Sequence, residues 1–393
     1  MAKPLRRAFL VVMDGVGVGN APDASAFGDE GSDTLGNLSR AVGGLRLPTF
    51  QKLGLGNLAV IEGVPPVQSP LAAYGRLQEV SSGKDSINGH WELCGLPTEL
   101  PFPTYSNAFP ADVVELVRRI SGRGVIGNEV ASGTEIMARL GGEHVRSGDL
   151  ILYTSADSVL QILAHEEVVP LDELYRICED IHKALPPKHR VGRVIARPFV
   201  GEDGAFVRTA NRRDYAVEPP ADTVLDVLHR AGVPVHGVGK VDTLFAGRGY
   251  ATATHTKDNR QGFDLTLEKI NTMDRGLVFT NLLDFDTQWG HRNDIPGFHK
   301  GMEELDQWLP SWLEALKPGD LMLMTADHGN DPTTPSTDHS REHVPLLAIL
   351  EGGVQGVDLG LRLGFMDAGA TIAEFFDVPW AGAGKSFLSD LQR

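Results

Sequence analysis

The stretch Thr325-Ala326-Asp327-His328-Gly329-Asn330-Asp331, followed by Asp338-His339, crowds carboxylate and imidazole donors together. Adjacent Asp327 and His328 with a second histidine close behind form a divalent-metal pattern, and the surplus of donors points to two ions. Position supports this. Asp320-Leu321-Met322-Leu323-Met324 reads as a short buried strand. Asp327 and His328 then fall on the turn at its C-terminal end, the edge where open α/β sheets bind ligands.

Two other segments repeat the design, each an apolar run without alternation, as in a parallel strand buried on both faces. Ala8-Phe9-Leu10-Val11-Val12-Met13 delivers Asp14, and Leu277 to Leu283 delivers Asp284 and Asp286 with His291 on the same loop. If the three strands are neighbours, their loops meet. The donor pool is then Asp14, Asp286, His291, Asp327, His328 and His339, a mixed oxygen and nitrogen set suited to manganese or zinc more than to calcium. Singly, a strand-end aspartate is an ordinary turn or helix cap. The repetition carries the metal reading.

Gly83-Lys84-Asp85-Ser86-Ile87-Asn88-Gly89-His90-Trp91-Glu92 has the glycine bracketing of an exposed turn, and Ser86 within it is the candidate nucleophile. The structural alternative is a helix cap leading into a loop. No Ser-His-Asp order or Gly-x-Ser-x-Gly elbow supplies a base. A divalent ion can, since coordination lowers the pKa of water from about 15.7 to roughly 7 and favours an alkoxide in the same way. Two such ions bring four positive charges and Asp14, Asp286 and Asp327 remove three, which leaves a site suited to an incoming phosphoryl group.

Polar and basic residues for an anionic substrate follow other strand-like runs: Ser155 and Asp157 after Leu150 to Thr154, then Arg193, Arg208 and Lys240. Arginine grips phosphate bidentately and lysine acts as a point charge, although each alone is an ordinary ion-pair partner. Two glycine-rich stretches fail as nucleotide motifs. Asp14 to Gly19 lacks the Gly-x-Gly-x-x-Gly spacing, and Gly237-Val238-Gly239-Lys240 has Pro234 and Val241 where a P-loop needs glycine and Ser or Thr. Both read as tight turns that let backbone approach the site.

These residues must be positioned by a large core, which 393 residues can bury in two domains or three. A formal charge of −16, from 52 acids against 36 bases, argues against nucleic acid or an anionic membrane as partner. Cys94 and Cys178 are too few for a disulfide framework or a thiolate site, so reduced thiols in a cytoplasmic protein are expected. Lys3, Arg6 and Arg7 before an apolar run superficially resemble a signal peptide, but Asp14 cuts that run short, and no stretch approaches the roughly 20 apolar residues of a membrane span.

The chain changes character near Leu96-Pro97 and near Glu218-Pro219-Pro220. All six metal candidates lie outside these breaks. The expected organisation is a discontinuous metal-binding core, residues 1–97 and 221–393, with residues 98–220 inserted as a smaller α/β cap. Helices are expected over Asp112 to Ile120 and Thr223 to Ala231, and a strand over Val233 to Val238. Leu305, Trp308, Leu309, Trp312, Leu313 and Leu316 follow helical spacing and read as core packing, with Pro310 as a possible bend.

Taken in order, Val12-Met13-Asp14-Gly15-Val16-Gly17, Gly83-Lys84-Asp85-Ser86, Gly89-His90-Trp91-Glu92, Tyr153-Thr154-Ser155-Ala156-Asp157-Ser158, Asn281 to Asp286 through His291-Arg292, and Thr325-Ala326-Asp327-His328-Gly329 span essentially the whole chain. In these motifs the sequence resembles phosphopentomutases of the alkaline phosphatase-like metalloenzyme superfamily. The resemblance implies an alkaline phosphatase-like core, a mostly parallel sheet flanked by helices, with the cap inserted. It implies two Mn2+ or other divalent ions, with Asp14, Asp327 and His328 matching the ligands of one and Asp286, His291 and His339 those of the other.

Ser86 matches the phospho-acceptor between the ions, where the family generally has threonine. Serine keeps the hydroxyl but lacks the β-methyl that restricts χ1. Ser155, Asp157, Arg193 and Lys240 match sugar-phosphate contacts, with Arg208 a further candidate. The implied substrates are ribose 1-phosphate and ribose 5-phosphate and their 2-deoxy forms. They are interconverted through a phosphoserine enzyme and a pentose 1,5-bisphosphate, with glucose 1,6-bisphosphate or a similar sugar bisphosphate as primer.

The competing readings on the same core are a metal-dependent phosphomonoesterase and a cofactor-independent phosphoglycerate mutase, which also uses serine. The inserted segment is small for that mutase, and Gly-His-Trp-Glu favours phosphopentomutase. From a different class, a non-catalytic metal or sugar-phosphate binding protein is opposed by the intact donor set and hydroxyl.

Overall fold

A computed structural model of the chain describes residues 5–155 and 158–392. Among these residues the strands in chain order are β1 (Arg7–Met13), β2 (Ala73–Gln78), β3 (Val125–Val130), β4 (Leu150–Thr154), β5 (Val159–His165), β6 (Arg193–Val200) and β7 (Val207–Arg208). They continue as β8 (Arg213–Ala216), β9 (Val235–Val238), β10 (Thr252–Thr254), β11 (Gly276–Leu282), β12 (Leu321–Thr325), β13 (His343–Leu350) and β14 (Asp358–Arg362). The chain divides into two compact units, Met1–Pro101 with Pro219–Arg393, and Phe102–Glu218. No described helix is long and apolar enough to cross a membrane.

The first unit is built on an eight-stranded sheet in the order β10-β9-β11-β1-β12-β13-β2-β14. Among the described strands only β13 runs against its neighbours, so the sheet is mostly parallel as expected. The apolar runs of β1, β11 and β12 have no polar alternation because every residue in them is buried. Register does the functional work. Met13 pairs with Leu282 and Val12 with Thr325, so the three strands end together and their loops leave from one edge.

The helix Ile295–Ala315 buries Leu305, Leu309 and Trp312, with Pro310 inside it. Trp312 stacks on Phe263 with ring centroids 4.5 Å apart, so the aromatic stripe is packing, as its spacing implied.

In the second unit β3-β4-β5-β6-β7 form one sheet, and β8 adds to β6. Side chains of period two sort onto its faces. Leu150, Leu152, Leu160, Ile162, Val194 and Ala196 pack with the helices Ala111–Ser121 and Leu171–Ala184, whereas Ile151, Tyr153, Leu163 and Phe199 pack with Gly133–Ser147.

This unit carries a pH liability. The buried His144 ring donates from Nδ1 to the Asp149 carbonyl at 2.6 Å and accepts the His165 N–H at Nε2, 2.8 Å away. Both nitrogens are used by the neutral ring, and burial holds its pKa below the usual range. The folded state therefore binds fewer protons there than the unfolded chain. The stability it contributes is present above the unfolded value of about 6.5 and is lost as pH falls from there through the folded value. The expected result is a melting temperature that drops on acidification below pH about 6.5, with a shallower drop in His144→Gln. Parallel thermal melts of the two proteins check this. Identical slopes would remove His144 as the titrating group.

Candidate metal centre

The six expected donors form two clusters. Asp14, Asp327 and His328 make one and Asp286, His291 and His339 the other, each with its ligand atoms within 4.8 Å of one another. Asp14 follows β1, Asp286 lies in the helical turn Phe285–Trp289 after β11, and Asp327 and His328 follow β12. His339 returns to them because Gly329 and Ser340 exchange backbone hydrogen bonds of 3.0 and 2.8 Å, folding the intervening loop back on itself.

The imidazole tautomers follow from their outer partners. Nδ1 of His291 lies 2.6 Å from the Thr337 carbonyl and Nδ1 of His328 lies 3.1 Å from that of Gly329, so each donates there and turns its Nε2 inward. His328 Nε2 faces Asp14 Oδ1 at 3.4 Å and Asp327 Oδ2 at 3.3 Å, while His291 Nε2 faces Asp286 Oδ2 at 3.2 Å. Ring nitrogens and carboxylates thus converge on the same two places. Asp14 Oδ1 and Asp327 Oδ2 are buried and accept no hydrogen bond among the described residues. Such a donor set fits divalent cations, which would satisfy these atoms. The His328 and His339 ring centroids are 3.9 Å apart, so the two clusters adjoin.

The remaining carboxylate oxygens are held by the protein. Asn281 Nδ2 donates to Asp14 Oδ2 at 2.7 Å, Asn330 Nδ2 to Asp286 Oδ1 at 2.7 Å, and Gly15 N to Asp327 Oδ1 at 3.3 Å. Gly15 has φ +81°, and a Cβ there would lie 3.0 Å from that of Asn330, so the turn requires glycine. Burial, and then the negative charges of Asp327 and Asp286, push the Asp14 carboxyl well above its ordinary range. Burial acts the same way on Asp286, but the His339 and His291 imidazoles outweigh it and hold this carboxyl well below that range. Burial lowers His328 to about 4, so its imidazole is neutral at ordinary pH.

Ser86 corrects one expectation. The glycine-bracketed segment is not an exposed turn: Ser86–Leu93 is a largely buried helix with Ser86 as its first residue. Asp85 is the N-cap, accepting from Ile87 N at 3.0 Å and Asn88 N at 3.2 Å. Gly89 reads locally as a turn residue, yet its role is contact, since a Cβ there would strike the Asp327 carbonyl. Ser86 Oγ lies 3.1 Å from His328 Nε2, at the helix end where backbone N–H groups favour negative charge.

Sequence reasoning missed much of the support. Trp91 Nε1 donates to the Leu244 carbonyl at 2.8 Å. Glu92 collects Val80 N at 3.0 Å, Ser81 N at 2.7 Å and Phe365 N at 2.8 Å. Buried Arg341 binds Glu79 Oε2 at 2.6 Å and the Gly83 carbonyl at 2.8 Å, anchoring the approach to Ser86. Glu342 accepts from Thr34 N at 2.9 Å and from Ser340 Oγ at 2.7 Å, and burial raises it to about 7. The one local signal was that Asn281 and Asn330 lie near donor acids in sequence, although each supports an acid from a different strand.

The other candidates lie on separate elements. Lys240 is exposed at the end of β9, after Gly239, whose φ of +91° sets it against the Asn281 carbonyl. Ser155 follows β4, and Arg193 begins β6, with its N–H 3.3 Å from the Ser158 carbonyl. Arg208 pairs with Phe199, at the opposite end of β6 from Arg193. Asp157 lies outside the described residues.

The profile of the Metalloenzyme superfamily matches residues 6–379. The chain is 53% identical over 387 residues to the phosphopentomutase of Clostridium novyi (strain NT), covering 98% of this chain and 99% of that one. It is 51% identical to the phosphopentomutase of Caldanaerobacter subterraneus subsp. tengcongensis, covering 98% of each. Among solved structures, the PH0037 protein from Pyrococcus horikoshii is similar in fold, with a TM-score of 0.51 and 15% identity over 97% of this chain and 100% of that one. So is the phosphoglycerate mutase of Leishmania mexicana, with a TM-score of 0.50 and 13% identity over 98% of each chain. Related along almost its whole length to these mutases of pentose phosphates by name, the chain belongs to the phosphopentomutase family of the metalloenzyme superfamily.

Proposed function

We propose that the protein is an isomerase that interconverts ribose 1-phosphate and ribose 5-phosphate, and the 2-deoxyribose phosphates, with Ser86 as the phosphate carrier. The observation that carries this reading is the Ser86 hydroxyl at a helix N-terminus, 3.1 Å from His328 Nε2 beside both donor clusters. Asp14, Asp327 and His328 would hold one divalent ion and Asp286, His291 and His339 the other, manganese in our reading. Bound there, the ions supply positive charge for the phosphoryl oxygens and ease loss of a hydroxyl proton.

The chain's own part is positioning. Phospho-Ser86 loses its Oγ–P bond as a hydroxyl of the pentose phosphate gains the phosphoryl group and gives up its proton, forming the 1,5-bisphosphate. Ser86 Oγ then takes the phosphoryl group from the other end, leaving the isomer. The helix N-terminus stabilises charge at Oγ throughout. A sugar bisphosphate such as glucose 1,6-bisphosphate would load Ser86 initially. Ser155, Asp157, Arg193, Arg208 and Lys240 are assigned to the sugar phosphate. Both cysteines are buried free thiols, in keeping with a cytoplasmic enzyme.

A coupled assay for ribose 5-phosphate from ribose 1-phosphate, with manganese and a bisphosphate primer, tests the reading. Isomer formation is expected. Release of inorganic phosphate without isomer would replace it with a phosphatase, and binding without turnover with a non-catalytic protein. Arg193→Ala is expected to raise KM for ribose 1-phosphate by about 10-fold, the loss of a charge-assisted contact, without changing metal content. Steady-state kinetics with metal analysis checks this, and an unchanged KM would remove Arg193 from the substrate contacts.

A further inference from the structure

We propose that His90 is a positioning residue that couples the Ser86 nucleophile to the Asp14, Asp327 and His328 cluster. His90 Nδ1 lies 2.8 Å from the carbonyl oxygen of Ser86 and 3.1 Å from Asp327 Oδ2. Both neighbours are acceptors, so Nδ1 carries the ring's proton and donates it to the Ser86 carbonyl, with Asp327 Oδ2 beside it in electrostatic contact. The spacing is what a helix provides: Ser86 and His90 are one turn apart in Ser86–Leu93, and helical side chains lean back over the preceding turn.

The rest of the ring fixes that orientation. His90 is fully buried, and its Nε2 has no hydrogen-bond partner among the described residues. The ring stacks on Phe279 with centroids 5.7 Å apart and planes at 25°. With acceptors at Nδ1 and none at Nε2, the ring presents an N–H at Nδ1.

The contacts close a loop. The Ser86 carbonyl meets His90 Nδ1, which meets Asp327 Oδ2; that oxygen lies 3.3 Å from His328 Nε2, which lies 3.1 Å from Ser86 Oγ. Ser86 and Asp327 therefore both lean on one ring nitrogen, the first through a hydrogen bond and the second through a 3.1 Å contact. Gly89, whose missing side chain lets the helix press on the Asp327 carbonyl, serves the same contact. The ring does not touch the reacting atoms in this arrangement. It sets where Oγ and the carboxylate stand relative to each other.

Three substitutions in the full chain separate positioning from space filling. His90→Asn keeps a donor near Nδ1, His90→Gln carries its donor to the reach of Nε2, and His90→Phe fills the volume without any donor. The readouts are manganese affinity by chelator competition, kcat and KM for ribose 1-phosphate, and the melting temperature of metal-free protein. His90→Phe is expected to weaken affinity for one of two ions by about 10–100-fold, the range for losing an outer partner of a metal ligand, and to lower kcat by a similar factor at near-constant KM. His90→Asn should recover most of both losses and His90→Gln should not, at similar melting temperatures.

Wild-type manganese affinity in His90→Phe, or an Asn variant no better than Gln, would overturn the proposal. If Phe does not fold, the Asn and Gln pair decides. The kinetic arm rests on Ser86 as phosphate carrier. Wild-type protein that takes no phosphate on Ser86 would defeat that reading of the reaction, while the affinity arm judges His90 independently of it.

Discussion

Ser86→Ala is expected to abolish phosphoenzyme formation and to lower kcat by at least about 10^4-fold, in line with the cost of deleting a serine nucleophile that works as a unit with its activators. The fold should be indifferent. Ser86 is the first residue of its helix, not the cap, and Asp85 keeps both backbone N–H groups it accepts. Alanine is also the best helix former, so stability should change by less than about 0.5 kcal/mol. Both donor clusters are complete without the hydroxyl, so metal content should stay that of wild type. Phosphopeptide mass spectrometry after incubation with a bisphosphate primer is the check. Phosphate on another residue, or turnover near wild type, would take the carrier role from Ser86.

Asp14→Asn is expected to act in opposite directions on metal-free and metal-loaded protein. In the absence of metal, burial and the Asp327 and Asp286 charges make an ionised Asp14 unfavourable, which is why its carboxyl titrates well above the usual range. The sign follows from proton uptake. A carboxyl that holds its proton more tightly folded than unfolded weakens the fold as pH rises from the unfolded value of about 3.9 through the folded one. Neutral asparagine removes that penalty at neutral pH. Its oxygen can still accept from Asn281 Nδ2, where Asp14 accepts at 2.7 Å, and its amide can donate toward Nε2 of His328.

Metal-free Asp14→Asn should therefore melt above metal-free wild type. With manganese the order reverses, because the variant lacks an anionic ligand. Turnover should fall by about 10^3-fold, as expected for losing several kcal/mol of metal-dependent charge stabilisation. Paired melts with chelator and with excess metal test the reversal. A metal-free variant less stable than metal-free wild type would mean that the carboxylates do not repel one another as their placement implies.

What the sequence disclosed well was chemistry written locally. Apolar runs without alternation identified β1, β11 and β12, because a strand buried on both faces tolerates no polar position, and the acids after them marked one functional edge. The segment around Ser86 was misleading for the opposite reason. Its glycines and small polar residues have turn propensity, but the helix is held by distant partners: Glu92 reaches Val80, Ser81 and Phe365, and Gly89 rests on Asp327. Propensity is a weak prior against such contacts. The place of Arg208 was likewise not written locally, since its pairing with Phe199 is set by the sheet.

By itself the sequence determined the types of donor, their strand-end placement, the hydroxyl that could carry phosphate and the membership that its motifs imply. Those properties depend on residue identity and short periods. The grouping of the donors, which the motif resemblance implied, took its geometry from the tertiary structure, which alone decided which imidazole nitrogen faces inward and that His90, Asn281 and Asn330 hold the acids in place. These depend on the common register of β1 with β11 and β12, which brings together side chains from opposite ends of the chain to within hydrogen-bonding range.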